Sequence, residues 1–261
     1  MATVVNALRL LNFFSQQQPE IGLTRFKELS GFDKGTAHRH LQALKSLGYL
    51  EQNSVTKAYR LGPTIMRLAA IRENTFPQAK IISMLVDELA AKSRELVHAS
   101  LLTDEGMSPL YHRDGGITGT RVGFDASEIL PLHATSSGMA MLAFGPVDLL
   151  GRIAETKLQK YTDETAIDLA EIKRLVSRTR DLGYSFMEQS YEAEVNSVAV
   201  PFFAGDGAIA GTLAIATPRS RMTRFDRVDL LNSVIETSRA ISAGLGAQIP
   251  DHLSEKWKQI S

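Results

Sequence analysis

In the first fifty residues, apolar side chains recur at helical spacing in two segments that a glycine separates. Phe26 and Leu29, three residues apart, predict a short helix with Thr24 as its N-cap. Gly31 then supplies a turn in which a positive φ costs little, and Asp33 is placed to cap a second helix. The apolar stripe of that second helix, at spacings of four, three and three, comprises Ala37, Leu41, Leu44 and Leu47.

The period of the apolar positions changes from helical to extended after Gly48. Residues 49–51 and 58–61 flank a polar turn at 53–57, and this pattern predicts a two-stranded hairpin. Upstream, residues 3–14 show an apolar helical pattern that would close the small core behind the two helices. A helix, a turn, a second helix and a wing form the unit that places one helix in the major groove of DNA.

The polar side of the second helix and the wing carries cations and short hydrogen-bond donors, which suit phosphates and guanine edges. Arg39 is the predicted phosphate or guanine contact, and Thr36 the predicted phosphate or thymine-methyl contact. Gly35 has no side chain, so it permits close approach to the duplex and reads no base. The predicted DNA-binding set, in which the last two residues hold the wing to the backbone, is Lys34, Gly35, Thr36, His38, Arg39, Lys57 and Arg60.

Charge is distributed unevenly, although the whole chain has 29 basic and 29 acidic residues. Residues 1–75 hold ten Lys or Arg and five Asp or Glu, so a basic head precedes an acidic body. Helix–turn–helix pairs also occur as purely structural units. A basic exposed face followed by a wing favours contact with a double-stranded DNA operator.

The length of 261 residues is typical of about two domains. Beyond residue 95 the pattern predicts extended segments at 97–103, 107–111, 121–124, 195–203 and 209–216, and helices at 136–144, 146–154, 166–182 and 223–245. A turn at 204–207, containing Asp206-Gly207, joins the last two strands. We predict an α+β fold, with a winged helix-turn-helix domain at 1–74, a linker helix at 75–94 and a ligand-sensing domain at 95–261.

The composition excludes several classes of protein. The chain has no cysteine, so it has neither a disulfide framework nor a thiolate metal site. No apolar run approaches the about 18 residues of a membrane span, and the first residues show no signal-peptide pattern. We therefore expect a cytoplasmic protein without a membrane partner.

An enzyme is one competing class, because His98, His112 and His133 accompany several carboxylates, among them Glu128. The sequence has no Gly-x-Ser-x-Gly nucleophile elbow, no His-Glu-x-x-His helix and no phosphate loop between a strand and a helix. We predict no catalytic residue, no metal ligand and no cofactor. Another competing class is a body that only oligomerises or binds a protein partner, pairing through Ile81, Leu85 and Leu89.

Several separated motifs resemble the IclR family of bacterial transcriptional regulators. They lie at residues 31–41, 47–51 and 59–62 in the head, and at 130–143, 196–201, 206–207 and 217–221 in the body. The resemblance covers nearly the whole chain and implies a winged helix-turn-helix head followed by a GAF-like effector-binding body. It also implies assembly into homodimers or dimers of dimers, in which two heads read two half-sites.

The same resemblance implies where an effector binds. Thr135, Ser136 and Ser137 open a helix whose free N–H groups suit an anion, and Ser197 falls on a pocket-lining position. The alternative is that these small residues only permit close helix packing. Where similar sensors of glyoxylate carry polar groups, this chain has Met187, Ala214 and Ala216. These apolar walls predict a small organic acid with an aromatic or alkyl body as effector.

Overall fold

The chain divides into two compact units, Met1–Pro77 and Gln78–Ser261. This computed structural model describes residues 2–15, 17–75, 78–116, 120–205, 207–222 and 224–260. Phe76 and Pro77, next to the predicted domain boundary, lie outside these ranges, as does Asp206 of the predicted hairpin turn. The boundaries at residues 74 and 94 stay predictions.

The first unit is helical with a small wing. Its elements are α1 (Ala2–Arg9), a 3-10 turn (Leu10–Phe13), α2 (Leu23–Ser30), α3 (Lys34–Ser46), β1 (Leu50–Gln52), β2 (Tyr59–Leu61) and α4 (Pro63–Thr75). β1 and β2 pair antiparallel, with Glu51 opposite Arg60. The predicted two helices, turn and wing are therefore present in the predicted order.

Aromatic packing joins these elements into one core. The Phe26 ring of α2 is fully buried, and it meets the rings of Phe14 and Tyr59 edge-on at 5.6 and 6.2 Å between centroids. Gln42 Nε2 of α3 donates to Tyr59 Oη at 2.9 Å. Because Tyr59 belongs to the wing, this bond and the ring contacts fix the wing against α3.

Three details of the predicted head are wrong. The N-cap of α2 is Gly22 rather than Thr24, because the helix already begins at Leu23. Leu47 leaves the predicted stripe and is 67% exposed, since α3 ends one residue earlier. The predicted helix at 3–14 is divided, because its second half winds into the tighter 3-10 form.

The second unit is an antiparallel sheet with helices on both faces. Its elements are α5 (Gln78–Ser93), β3 (Leu96–Leu102), β4 (Met107–Asp114), α6 (Ser136–Phe144), α7 (Leu149–Ala154), α8 (Leu169–Leu182), β5 (Ser185–Glu188), β6 (Val195–Phe203), β7 (Ile209–Pro218), α9 (Arg224–Gly244) and α10 (Asp251–Lys258). The strand order is β4-β3-β7-β6-β5. The α+β prediction is confirmed.

Successive side chains of a strand point to opposite faces of the sheet, so each face of this sheet has its own hydrophobic core. On one face, Val198 and Val200 of β6 pack with Val86 of α5 and Val234 of α9. On the other face, α6 covers the sheet, where Ala140 packs on Ala199 and Ala214. Strand residues that alternate with those of the first core, such as Ala199 between Val198 and Val200, therefore point towards α6.

Several expectations for the body need correction. The extended segment predicted at 121–124 belongs to no strand and lies in the loop before α6. β5 and α10 were not predicted as elements. Leu89, expected on a stripe that pairs two copies, is 2% exposed and fills the core of its own unit.

Candidate functional site

The start of α3 is an exposed, capped helix N-terminus. Asp33 has extended backbone (φ −65°, ψ 158°), and its Oδ1 accepts from the Thr36 N–H at 2.9 Å. This hydrogen bond lowers the pKa of Asp33 below its ordinary value of 3.8. The remaining first-turn N–H groups point out of the helix end, where an anion such as phosphate is favoured.

The predicted base and phosphate contacts lie on the outer side of α3. Lys34, Gly35, His38 and Arg39 are exposed, and Thr36 is half-buried. Arg39 Nη2 donates to Thr36 Oγ1 at 3.2 Å, so the guanidinium is held along the helix surface one turn from its start. One helix face thus presents two cations, an imidazole and a hydroxyl.

The two predicted wing contacts differ in their surroundings. Lys57 is exposed and has a left-handed backbone (φ 59°), which is uncommon for a residue with a side chain. Arg60 is exposed as well, but its guanidinium lies 2.5 Å from Glu51 and 3.8 Å from Glu20. The carboxylates partly neutralise Arg60, so Lys57 is the better placed wing cation for a phosphate.

The start of α6 is also a capped helix N-terminus, but it is buried, whereas the start of α3 is exposed. Thr135 has extended backbone (φ −113°, ψ 153°), its Oγ1 accepts from the Gly138 N–H at 3.0 Å, and it donates to Pro131 O at 2.9 Å. These bonds engage Thr135 and the third helical N–H. By helix geometry the N–H groups of Ser136 and Ser137 have no carbonyl in the preceding turn and are available to a ligand.

A cavity adjoins this helix start. One row of the sheet forms its floor, in which Leu96, Ala216, Ser197 and Met187 stand opposite one another across β3, β7, β6 and β5. The lining residues enclose about 620 Å³, with open solvent at the mouth included.

Five of the seven predicted effector contacts line this cavity, namely Thr135, Ser136, Met187, Ser197 and Ala216. Ser137 and Ala214 are not among the lining residues, and both are fully buried. Ala214 lies in the neighbouring row of the sheet, where Ala140 of α6 covers it. The Ala214 side chain therefore serves packing, whereas the buried Ser137 Oγ has no hydrogen-bond partner among the described residues.

Two loops complete the wall, and sequence reasoning did not assign their residues to the site. They contribute Phe124, Asp125, Glu128, Ser190, Tyr191 and Glu192, while His98 joins from β3. The Phe124 ring lies 4.9 Å from both the His98 and the His112 rings. Burial, together with the neighbouring His112, lowers the pKa of His98 to about 4, so its imidazole is neutral at pH 7.

An ion pair holds the first of these loops. Arg221 donates through Nε and Nη2 to the two oxygens of Glu95, each at 2.7 Å, and through Nη1 to Thr120 O at 2.7 Å. Glu95 is 7% exposed and the Arg221 side chain is partly exposed, so the bidentate pair is buried on its carboxylate side. The segment after Thr120 that carries Phe124 is thereby anchored where it approaches the cavity.

Within the described ranges, no group of three or more His, Asp or Glu side chains could hold a metal ion. None of the described helices is long and apolar enough to cross a membrane.

Family models match both parts of the chain. Residues 3–54 match the IclR helix-turn-helix domain, and residues 76–243 match the C-terminal region of the bacterial transcriptional regulator IclR. A curated relative, the HTH-type transcriptional regulator XynR of Escherichia coli K12, is 25% identical over 248 residues, which cover 94% of this chain and 97% of XynR.

Solved structures agree with these matches. The crystal structure of a putative IclR transcriptional regulator from Silicibacter sp. TM1040 superposes with a TM-score of 0.87 at 34% identity, covering 96% of this chain and 98% of that one. An IclR homologue from Microbacterium hydrocarbonoxydans, complexed with 4-hydroxybenzoate, has a TM-score of 0.77 at 20% identity and covers 93% and 98%.

The relatives are named as regulators of transcription, which confirms the prediction of a DNA-binding regulator rather than an enzyme. The head carries the family's helix-turn-helix, and the body is the family's C-terminal domain. This chain belongs to the IclR family of bacterial transcriptional regulators.

Proposed function

We propose that this regulator senses a small organic acid with an aromatic or alkyl body and changes its binding to a DNA operator in response. The observation that carries the proposal is the buried start of α6, where Ser136 and Ser137 offer N–H groups beside a mostly apolar sheet row. A carboxylate is favoured at such a helix end, and an apolar body gains by covering Leu96, Met187 and Ala216.

The solved homologue that holds 4-hydroxybenzoate supports this ligand class, since the fold is shared. Met187 and Ala216 add to the support, because their apolar side chains offer no hydrogen bond from the sheet row to the second half of a two-carbon acid.

Isothermal titration calorimetry of the purified full-length chain tests the proposal. We expect heat and saturable binding with benzoate-type acids, and binding of glyoxylate that is at least about tenfold weaker. Tight glyoxylate binding would overturn the aromatic or alkyl class. A body that binds none of these acids would instead support the alternative of a domain that only oligomerises or meets a protein partner.

At the head, we propose that α3 enters the major groove and that Lys34, Gly35, Thr36, His38 and Arg39 lie in or over it. Lys57 and Arg60 would hold the wing to the phosphate backbone. A protein with this role works in the cytoplasm.

We further propose a homodimer, or a dimer of dimers, that presents two heads to two half-sites about one helical turn apart or its multiples. Exposed apolar side chains on the head, among them Val4, Val5 and Met66, support a covering partner surface. The acid would act by favouring one arrangement of the dimer, and its effect is limited by its difference in affinity for the two states.

A further inference from the structure

Part of the cavity wall is acidic, and this part comes from the two loops rather than from the sheet or α6. Glu128 lies in the loop before α6, and Glu192 lies in the loop between β5 and β6. The Tyr191 hydroxyl donates to Glu128 Oε2 at 3.2 Å and so ties the two loops together beside the cavity. Both glutamates are exposed residues that line the cavity, so a ligand can reach them.

The Glu128 carboxylate lies close enough to Glu192 to disfavour the charge of Glu192. Partial burial of its carboxylate and the nearby Glu128 raise the pKa of Glu192 above its ordinary value. The pKa of Tyr191 is raised too, by burial first and by Glu128 second, so its phenol stays a neutral donor. The neutral Tyr191 phenol only partly offsets the repulsion between Glu128 and Glu192. A cation between the two loops would offset it more fully.

A buried hydroxyl in the same wall lacks a partner. Ser190 is 3% exposed and lines the cavity, yet its Oγ makes no hydrogen bond with any described part of the protein. Its position is fixed, because its carbonyl oxygen accepts from Thr165 Oγ1 at 2.6 Å. An unsatisfied buried hydroxyl costs free energy, so a ligand group that bonds to it is favoured.

The described lining residues supply no positive charge to balance these acids. None is a lysine or an arginine, and His98 is neutral at pH 7. Nearby arginines serve other partners: Arg219 donates to Gln189 Oε1 at 3.0 Å, and Arg221 holds Glu95. An effector whose only charge is its carboxylate would therefore add an anion to an already acidic cavity.

We propose that the effector carries an ammonium group as well as its carboxylate, with the apolar body between them, and that Glu128, Glu192 and Ser190 Oγ receive the ammonium. This inference rests on the proposed function, in which the carboxylate lies at the start of α6.

Calorimetry with a matched pair of acids tests this inference on the full-length chain. The pair is 4-(aminomethyl)benzoate and 4-methylbenzoate, which share the carboxylate and the ring and differ in the ammonium group. Because charge-assisted hydrogen bonds are the stronger ones, we expect the aminomethyl compound to bind at least about tenfold more tightly at pH 7.

Three variants locate the preference. Glu128→Gln and Glu192→Gln keep the side-chain shape at exposed positions, and each is expected to lower the ratio of the two affinities several-fold. Glu194→Gln is the matched control, because Glu194 is an exposed acid on the same loop and does not line the cavity. Its ratio is expected to equal that of the unaltered chain.

The outcomes separate this inference from the proposed function. Equal binding of the two acids, or tighter binding of 4-methylbenzoate, would overturn the proposal that the effector carries an ammonium group. The proposal that the protein senses an organic acid would be unaffected. Binding of neither compound would overturn both. A tenfold preference that survives both glutamine variants would overturn the role given to the two carboxylates.

Discussion

Helix α3 of the head and helix α6 of the body begin with the same kind of N-cap but lie in different surroundings. In each, an N-cap side chain on extended backbone accepts from the third helical N–H, from Thr36 for Asp33 and from Gly138 for Thr135. The first two helical residues, Lys34 and Gly35, are exposed in α3. Their counterparts in α6 are buried.

This difference decides which anion each helix start can meet. The field at a helix N-terminus favours negative charge in both cases. In α3 only a large partner that covers the surface, such as the DNA backbone, displaces water from the free N–H groups. In α6 the sheet and loops already exclude most water, so a small carboxylate suffices. We propose that burial, rather than the capping residue, sets the class of partner.

The sharpest way to break the comparison is at the third helical position. Gly138→Ala places a methyl group against the backbone of Pro131 and Leu132, so we expect it to destabilise the body by about 1–3 kcal/mol. Urea unfolding of the full chain measures the change. Gly151→Ala in α7 is the control, because nothing lies within 4 Å of its added carbon. Equal stability of the two variants would contradict the tight packing at the start of α6.

The corresponding test in the head concerns DNA rather than folding. If Arg39 reads a base, Arg39→Ala should weaken binding by about 1–3 kcal/mol and relax the preference at one position. Fluorescence anisotropy with a duplex selected from random sequence measures both effects. Arg25→Ala, at an exposed arginine of α2 paired with Glu28, is the control. A uniform loss of affinity across sequences would make Arg39 a phosphate anchor.

A smaller effect is expected at the cap of α6. Thr135→Ala removes the acceptor for Gly138 N–H and the donor to Pro131 O, and should cost about 0.5–2 kcal/mol of stability. Thr135→Ser keeps both bonds and should cost less. Thermal unfolding of the two variants checks the difference. If alanine and serine behave alike, the hydroxyl does not hold the helix start.

The smallest effect concerns the cap of α3 and its dependence on pH. Because the folded-state pKa of Asp33 is lowered, its stabilising contribution is complete above 3.8 and is lost as the pH falls through the folded value. A carboxyl carbon NMR titration of the folded chain should give a midpoint below 3.8. A midpoint at or above that value would show that the Thr36 N–H does not hold the carboxylate in solution.

Local signals in the sequence predicted the head better than the body's cavity. Asp33 and Gly31 mark the turn between the head's helices, and these residues act where they stand in the chain. The segment 135–138 likewise predicted the start of α6, since capping involves neighbours in sequence.

The cavity depends on residues that the chain brings together from far apart. The alternation along β7 correctly places Ala214 and Ala216 on the face that α6 covers. Only the sheet register shows that Ala140 packs on Ala214 and that Ala216 lines the cavity. The bond between Tyr191 and Glu128 joins loops 63 positions apart. No periodicity in the sequence predicts that the loops carrying Glu128 and Tyr191 lie in contact.

A crystal structure of the full chain grown with benzoate tests the central claim most directly. The claim predicts that the carboxylate lies within hydrogen-bonding distance of the Ser136 and Ser137 N–H groups, with the ring over Ala216 and against Met187. A carboxylate bound elsewhere, or side chains filling the space beside Ser136 and Ser197, would contradict it.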